Sequence, residues 1–328
     1  MKMRSFWTMM KASRRESLLV RFYRWKTSKA KEKLCRTPTE NAAVELDFKS
    51  LDMASKADEH MLYLNPLDEG LSAQIYAWRF REPVNTHFLS AFIADEKQNI
   101  DAVMDIGSNI GYFPIVEFVS GAPQVIAIEP VPDTYFFLKK NLEHFENMRM
   151  LNIAISDKKE TAKMYVPTKM NLARILDNTA PLEMAEVPVK AIVDVQALPL
   201  ENVLEAENLM GMNVLIRMDI EGFEKTILNK LPEEVYGLSF EFHSYILGYY
   251  AATALIKKMR KSGYEIKLMA RELGGLSPII KLLGLRKALR LYESLIETRV
   301  FYEPSMMVIK DTIKKHRENP HMFAVRKR

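Results

Sequence analysis

The chain has 328 residues, 48% of them hydrophobic and 27% charged, enough apolar material for one large core or two modest ones. A lone cysteine, Cys35, excludes an internal disulfide and a Cys-rich zinc site, and suits a reducing compartment. No uncharged apolar run reaches the roughly 18–20 residues that cross a bilayer, and no secretory-signal pattern is seen.

The net charge of +5 is uneven. Residues 1–36 hold 12 Lys+Arg and 2 Asp+Glu, a local +10, which leaves −5 for the rest. In this tail Leu18, Phe22 and Trp25 fall on one helical face. A basic amphipathic helix can lie on an anionic membrane, pack on its own domain, or belong to a solvated arm. Residues 1–60 are expected to form this basic tail with its helices, and 61–328 the main domain.

Residues 64–93 read as a loop followed by helical segments. From 101 a regular alternation begins. "DAVMDIG" (101–107) is a strand, and a helix follows to Gly121 with Pro114 in its first turn. "QVIAIEP" (124–130) is a second strand, 133–145 a second helix, and "RMLNIAISD" (149–157) a third strand. Residues 161–195 hold two β-like runs around a polar loop. Strands four and five are expected at 213–224, running into a helix, and at 237–243. A helix and strand follow at 251–269, and 321–327 is the last strand. Residues 276–317, within an insertion spanning 271–318, read as apolar and basic helices with a loop at 299–305. The alternation predicts an α/β fold: a mostly parallel sheet with helices on both faces.

"VMDIGSNIGYF" (103–113) ends the first strand in an acid and opens a glycine-containing turn. Ligands of open parallel sheets bind beyond the carboxyl ends of the strands. Gly107 and Gly111 would let backbone approach a ligand without a Cβ. A dinucleotide loop would read G-x-G-x-x-G and hold pyrophosphate at the helix N-terminus. Here Asn109 replaces a glycine and Asp105 stands just before, where a carboxylate would repel pyrophosphate. Asp105 suits a cationic ligand with an amino group and a sulfonium. Glu129, at the end of the second strand, can accept both ribose hydroxyls, and Asp157, after the third, the adenine amine. Acids at three successive strand ends favour S-adenosylmethionine over NAD. Ser108 in the turn and Pro130 beside Glu129 complete the expected cofactor set.

The runs "DIGSNIGYF", "VIAIEPVPDTYFFLKKNL", "NIAISD", "LIRMDIEGFEKTIL" and "SFEFH" occur in the order seen in FkbM-type methyltransferases, which this chain resembles over roughly 62–269 and the last strand. The resemblance implies a class I, Rossmann-like fold with a seven-stranded sheet whose last strand is antiparallel. It implies methyl transfer from S-adenosylmethionine, usually to a hydroxyl of a small molecule, sugar or lipid-linked glycan. It also implies that Glu82 and Thr86 close over the methionine end of the cofactor, and that Asp219 faces cofactor and acceptor.

A hydroxyl acceptor benefits from a base, and candidates stand at the ends of strands four and five: Asp219, Glu221, Glu241 and His243. Asp219 and Glu221 also fit helix capping, and a lone histidine fits a structural role. No metal is assigned, although two or three of these groups could hold a divalent ion through oxygen ligands. Three rivals remain: a non-catalytic cofactor-binding protein of the same fold, an NAD-dependent oxidoreductase, and a nucleic-acid methyltransferase gripping phosphate with its tail. The acidic main body argues against the last. The expected location is cytoplasmic, with peripheral membrane contact through the tail as an option, and the sequence does not define an oligomeric state.

Overall fold

The computed structural model describes residues 18–53, 60–169, 173–175, 189–220, 223–272, 277–293, 300–315 and 319–327. Its strands, in chain order, are β1 (Ala43–Glu45), β2 (Met61–Tyr63), β3 (Ala102–Ile106), β4 (Val125–Ile128), β5 (Met148–Leu151), β6 (Ala154–Ser156), β7 (Glu160–Pro167), β8 (Arg174–Ile175), β9 (Val189–Pro199), β10 (Val214–Met218), β11 (Val235–Glu241), β12 (Tyr264–Arg271), β13 (Val300–Tyr302) and β14 (Pro320–Arg326).

β3, β4 and β10 are buried at every position, as their near-continuous apolar runs require when helices cover both faces of a sheet. The central sheet has the order β13-β12-β14-β11-β10-β3-β4-β5. β5, β4, β3, β10 and β11 are parallel, and β14 runs antiparallel between β11 and β12. The architecture is the expected class I methyltransferase fold with one strand more than seven. The extra strand, β13, lies where a loop was expected at 299–305; it pairs antiparallel with β12 through Leu268, Met269 and Ala270. From β3 the chain builds outward through β4 and β5, then returns to β10 on the other side. That reversal opens a crevice between β3 and β10.

The expected third strand, 149–157, is two strands. β5 stays in the central sheet, whereas β6 joins a second sheet of order β6-β9-β7-β8. Asn152 marks the break: its side-chain amide donates to the carbonyls of Glu129 and Pro130, which ties the chain to the end of β4. The two β-like runs of 161–195 appear as β7 and β9, paired antiparallel.

The helix Leu18–Leu34 packs on the helix Leu71–Trp78. Tyr23 stacks on Trp78 at 5.4 Å, the Trp78 indole N–H donates to Thr27, and Ala30 and Leu34 are buried. Trp25 is therefore turned outward, and Phe22, half-exposed, sits at the border with its ring meeting Trp78 edge-on at 6.4 Å. Among the described residues no helix is long and apolar enough to cross a membrane.

Candidate active site

The turn after β3 is held rigidly before any ligand is considered. Ser108 Oγ donates to the Asp105 carbonyl (2.8 Å) and accepts from the Ile128 N–H (3.0 Å), which joins the ends of β3 and β4. Gly107 (φ +85°) and Asn109 (φ +51°) both take left-handed backbone, and the Asn109 carboxamide oxygen accepts from the Ile110 N–H. A Cβ on Gly107 would sit 2.4 Å from the Asp219 carbonyl oxygen. That glycine is needed because β10 passes so close, and a Cβ on Gly111 would meet Leu142 and Leu138. Both glycines thus serve packing within the chain, and Gly107 is also part of the pocket wall.

The turn borders a pocket lined by Ile106, Gly107, Asn109, Ile128, Glu129 and Pro130. Ile155, Met164, Asp219, Ile220 and Phe223 line it as well. Glu129 is buried at its edge, with one carboxylate oxygen accepting from the Asn109 N–H (3.0 Å) and the other from the Val131 N–H (2.9 Å). Burial pushes its carboxyl up to about 7, against the pull of those two N–H donors. A largely apolar pocket with a buried acid in its wall suits an adenosine: apolar side chains for the base, Glu129 for the ribose hydroxyls.

Beyond Asp219 lies a network of buried charge. Arg217, in the middle of β10, donates from Nη1 to Asp105 (2.8 Å) and brings Nη2 to 3.6 Å from Asp219. Its guanidinium lies 3.8 Å from the centre of the Phe113 ring. Burial pushes Asp219 up to about 6, with Glu241 adding and Arg217 opposing. Glu241 is raised by burial as well, and accepts from Asn319 (2.9 Å). His243 is buried with Nδ1 2.8 Å from Glu224 Oε1 and Nε2 3.8 Å from Glu241 Oε1. Asp219, Glu241 and His243 each bring one ligand-type atom within 4.8 Å of the others, a spacing a divalent cation could also bridge.

The expected residues divide by place. Gly107, Asn109, Glu129, Pro130 and Asp219 line the pocket, and Glu241 and His243 stand beside Asp219. Asp105 is not on the pocket wall: it is fully buried and Arg217 occupies one of its oxygens, so the cationic partner expected from a ligand is supplied by the chain. Asp157 lines a different cavity, with Pro199, Glu201 and Lys230, because β6 leaves the central sheet. Thr86 is buried, donating to the Arg81 carbonyl and within 3.2 Å of the Tyr112 hydroxyl. Glu82 pairs with Arg81 (2.7 Å) and lies 3.8 Å from His321; burial pushes its carboxyl up, but the Arg81 guanidinium outweighs this and holds it down at about 2. Glu221 lies outside the described residues.

Arg217, Glu224, Arg81 and His321 were not expected. Arg217 had a signal, an arginine inside the apolar run "VLIRM", since a charge in a central strand must have a buried partner. His321 is adjacent to Glu241 only through the β11–β14 pairing, which local spacing does not reveal.

Residues 105–266 match the family model of the methyltransferase FkbM domain. They form an FkbM-type methyltransferase domain. S-adenosylmethionine, expected from the acids at the strand ends, is its methyl donor. No curated protein matches the chain. The chain is similar to a SAM-dependent methyltransferase from Agrobacterium tumefaciens, with 10% identity, 88% of this chain and 71% of that one covered, and a TM-score of 0.41. It is also similar to an O-methyltransferase from Bacillus cereus (9% identity, 75% and 81% covered, TM-score 0.36). A ribosomal protein L11 methylase from Lactobacillus delbrueckii gives 12% identity, 75% and 80% coverage, and a TM-score of 0.34. At such identities and TM-scores no residue role or substrate carries over.

Proposed function

We propose that this S-adenosylmethionine-dependent methyltransferase methylates a hydroxyl oxygen on a small molecule, a sugar or a lipid-linked glycan. The observation that supports this most is the Glu224–His243 pair beside Asp219, where the cofactor pocket meets the buried charges. When bound, the cofactor supplies a methyl group on a sulfonium, which leaves as a neutral thioether once the methyl has passed to oxygen.

The chain's part is to hold, align and deprotonate. Glu129 accepts the ribose hydroxyls, and Gly107 and Asn109 shape the pocket. Glu224 accepts the Nδ1–H of His243, which fixes the tautomer with its Nε2 lone pair toward Glu241. Nε2 then takes the acceptor's hydroxyl proton as its oxygen bonds to the methyl carbon, and later gives that proton to water. Asp219 and Glu241, both shifted toward neutrality by burial, can accept hydrogen bonds from the other hydroxyls of a polyol. Alignment of acceptor and methyl supplies further rate.

A second reading has a specific observation in its favour: the 4.8 Å grouping of Asp219, Glu241 and His243 could seat a divalent ion that binds the acceptor oxygen directly. Tritium transfer from labelled cofactor to a cell extract, with and without a chelator, tests both. Transfer that survives the chelator and is lost in His243→Ala supports the base; transfer abolished by the chelator and restored by magnesium supports the ion. A methyl-sized mass gain identifies the acceptor. No transfer to any hydroxyl-bearing compound overturns the reading.

A further inference from the structure

The helix Leu18–Leu34 turns Tyr23, Thr27, Ala30 and Leu34 toward the protein. At the helical period Trp25, Arg21 and Lys29 point away from that side, and Phe22 lies at its border, its ring meeting the edge of Trp78 at 6.4 Å. Phe22 is 47% exposed and Trp25 57%, and their rings stack on each other at 5.8 Å. An outward helix face in water is ordinarily polar. Here that face and its border carry two large aromatics among basic residues, and the helix holds six Lys/Arg against the single acid Glu32.

A neighbouring element repeats the pattern. The helices Ser277–Leu283 and Leu285–Glu293 bury Ile279, Ile280, Leu285 and Ala288. They leave Leu282 80% exposed and Leu283 exposed beside Arg286, Lys287 and Arg290. The first of these helices packs on Leu18–Leu34. Partial burial, with the charge of Lys281 adding to it, lowers the Lys26 ammonium of the long helix below the usual lysine range. Two basic, apolar-tipped surfaces are therefore neighbours.

We propose that this paired surface docks the protein on an anionic phospholipid bilayer, with Phe22, Trp25, Leu282 and Leu283 entering the interface and the surrounding Lys and Arg facing lipid headgroups. Charge complementarity selects the partner: each basic residue near an anionic leaflet adds to the attraction. Aromatic and leucine side chains supply the second, apolar signal that stable peripheral binding requires. Tryptophan prefers the headgroup depth. A polyanion such as RNA would use the charges but leave the exposed leucines without a role. The proposal is independent of which acceptor the active site methylates.

The full chain is sedimented with phosphatidylcholine vesicles containing about a third phosphatidylglycerol, and with phosphatidylcholine alone. Binding to the anionic vesicles and little to the neutral ones is expected. F22A/W25A and R286E/K287E, all at exposed positions, should each weaken binding at least about tenfold, with an unchanged melting temperature. Failure to bind anionic vesicles overturns the proposal, as does undiminished binding by both variants. Tighter binding to a single-stranded RNA than to the vesicles would overturn it too.

Discussion

Arg217 reaches from β10 to Asp105 on β3 at 2.8 Å, with both side chains shut away from solvent. The two strands that flank the crevice are thus joined by an ion pair just beneath the cofactor turn, at the paired register positions Arg217 and Asp105. Removing one partner leaves the other charge buried alone, which costs about 3–5 kcal/mol. Arg217→Ala should lose stability on that scale in urea unfolding, while the double variant D105N/R217M recovers much of it. A loss below about 1 kcal/mol in R217A would show that the pair is not the tie described.

Gly107→Ala should be costly for two reasons. The residue sits at φ +85°, and its new Cβ would meet the backbone oxygen of Asp219, which no rotamer change can move aside. A destabilisation above about 2 kcal/mol is expected, with cofactor binding reduced in whatever protein folds. A variant as stable as the parent would mean β10 can shift away from the turn.

Glu117 is fully buried on the helix Tyr112–Val119, and neither carboxyl oxygen has a hydrogen-bond partner among the described residues. Burial, with Asp105 nearby, raises it well above the usual carboxylate range. A raised acid keeps its proton in the native state after the unfolded chain has lost it. Stability is therefore full below the ordinary carboxylate value and falls as pH rises above it. Glu117→Gln should match the parent near pH 4 and exceed it near pH 8 in thermal melts. Equal stability at both pH values would place a partner on this carboxyl.

In transfer assays with the extract acceptor, His243→Ala should lower kcat by roughly a hundredfold or more and leave cofactor affinity intact. Glu224→Gln, which keeps a hydrogen-bond acceptor but no charge, should give a smaller loss, about tenfold, again in kcat alone. An effect confined to melting temperature would reduce the pair to a structural role.

Local pattern made the central sheet readable. The apolar runs of β3, β4 and β10 and the turn at Gly107 are local features, and so is Glu129 at the end of β4. What stayed hidden depends on pairing across the chain. Asp105 could be read as an acid facing a ligand because its arginine lies 112 residues away. Asp157 could be read as an adenine contact because nothing local shows that the chain leaves the central sheet at Asn152. The helix Leu18–Leu34 shows its amphipathic period plainly, but which side faces inward was decided by Trp78 on another helix.

The pocket around Glu129 is tested most directly by calorimetric binding of S-adenosylhomocysteine. The ribose hydroxyls should donate to the ionised carboxylate, whose acidity burial weakens, pushing it up to about 7 in the free protein. Affinity should therefore rise from pH 6 to pH 8, with a proton released on binding at the lower pH. Glu129→Ala should bind at least about thirtyfold more weakly and lose that pH dependence while remaining folded. Equal affinity of parent and E129A across this range would contradict the cofactor site described here.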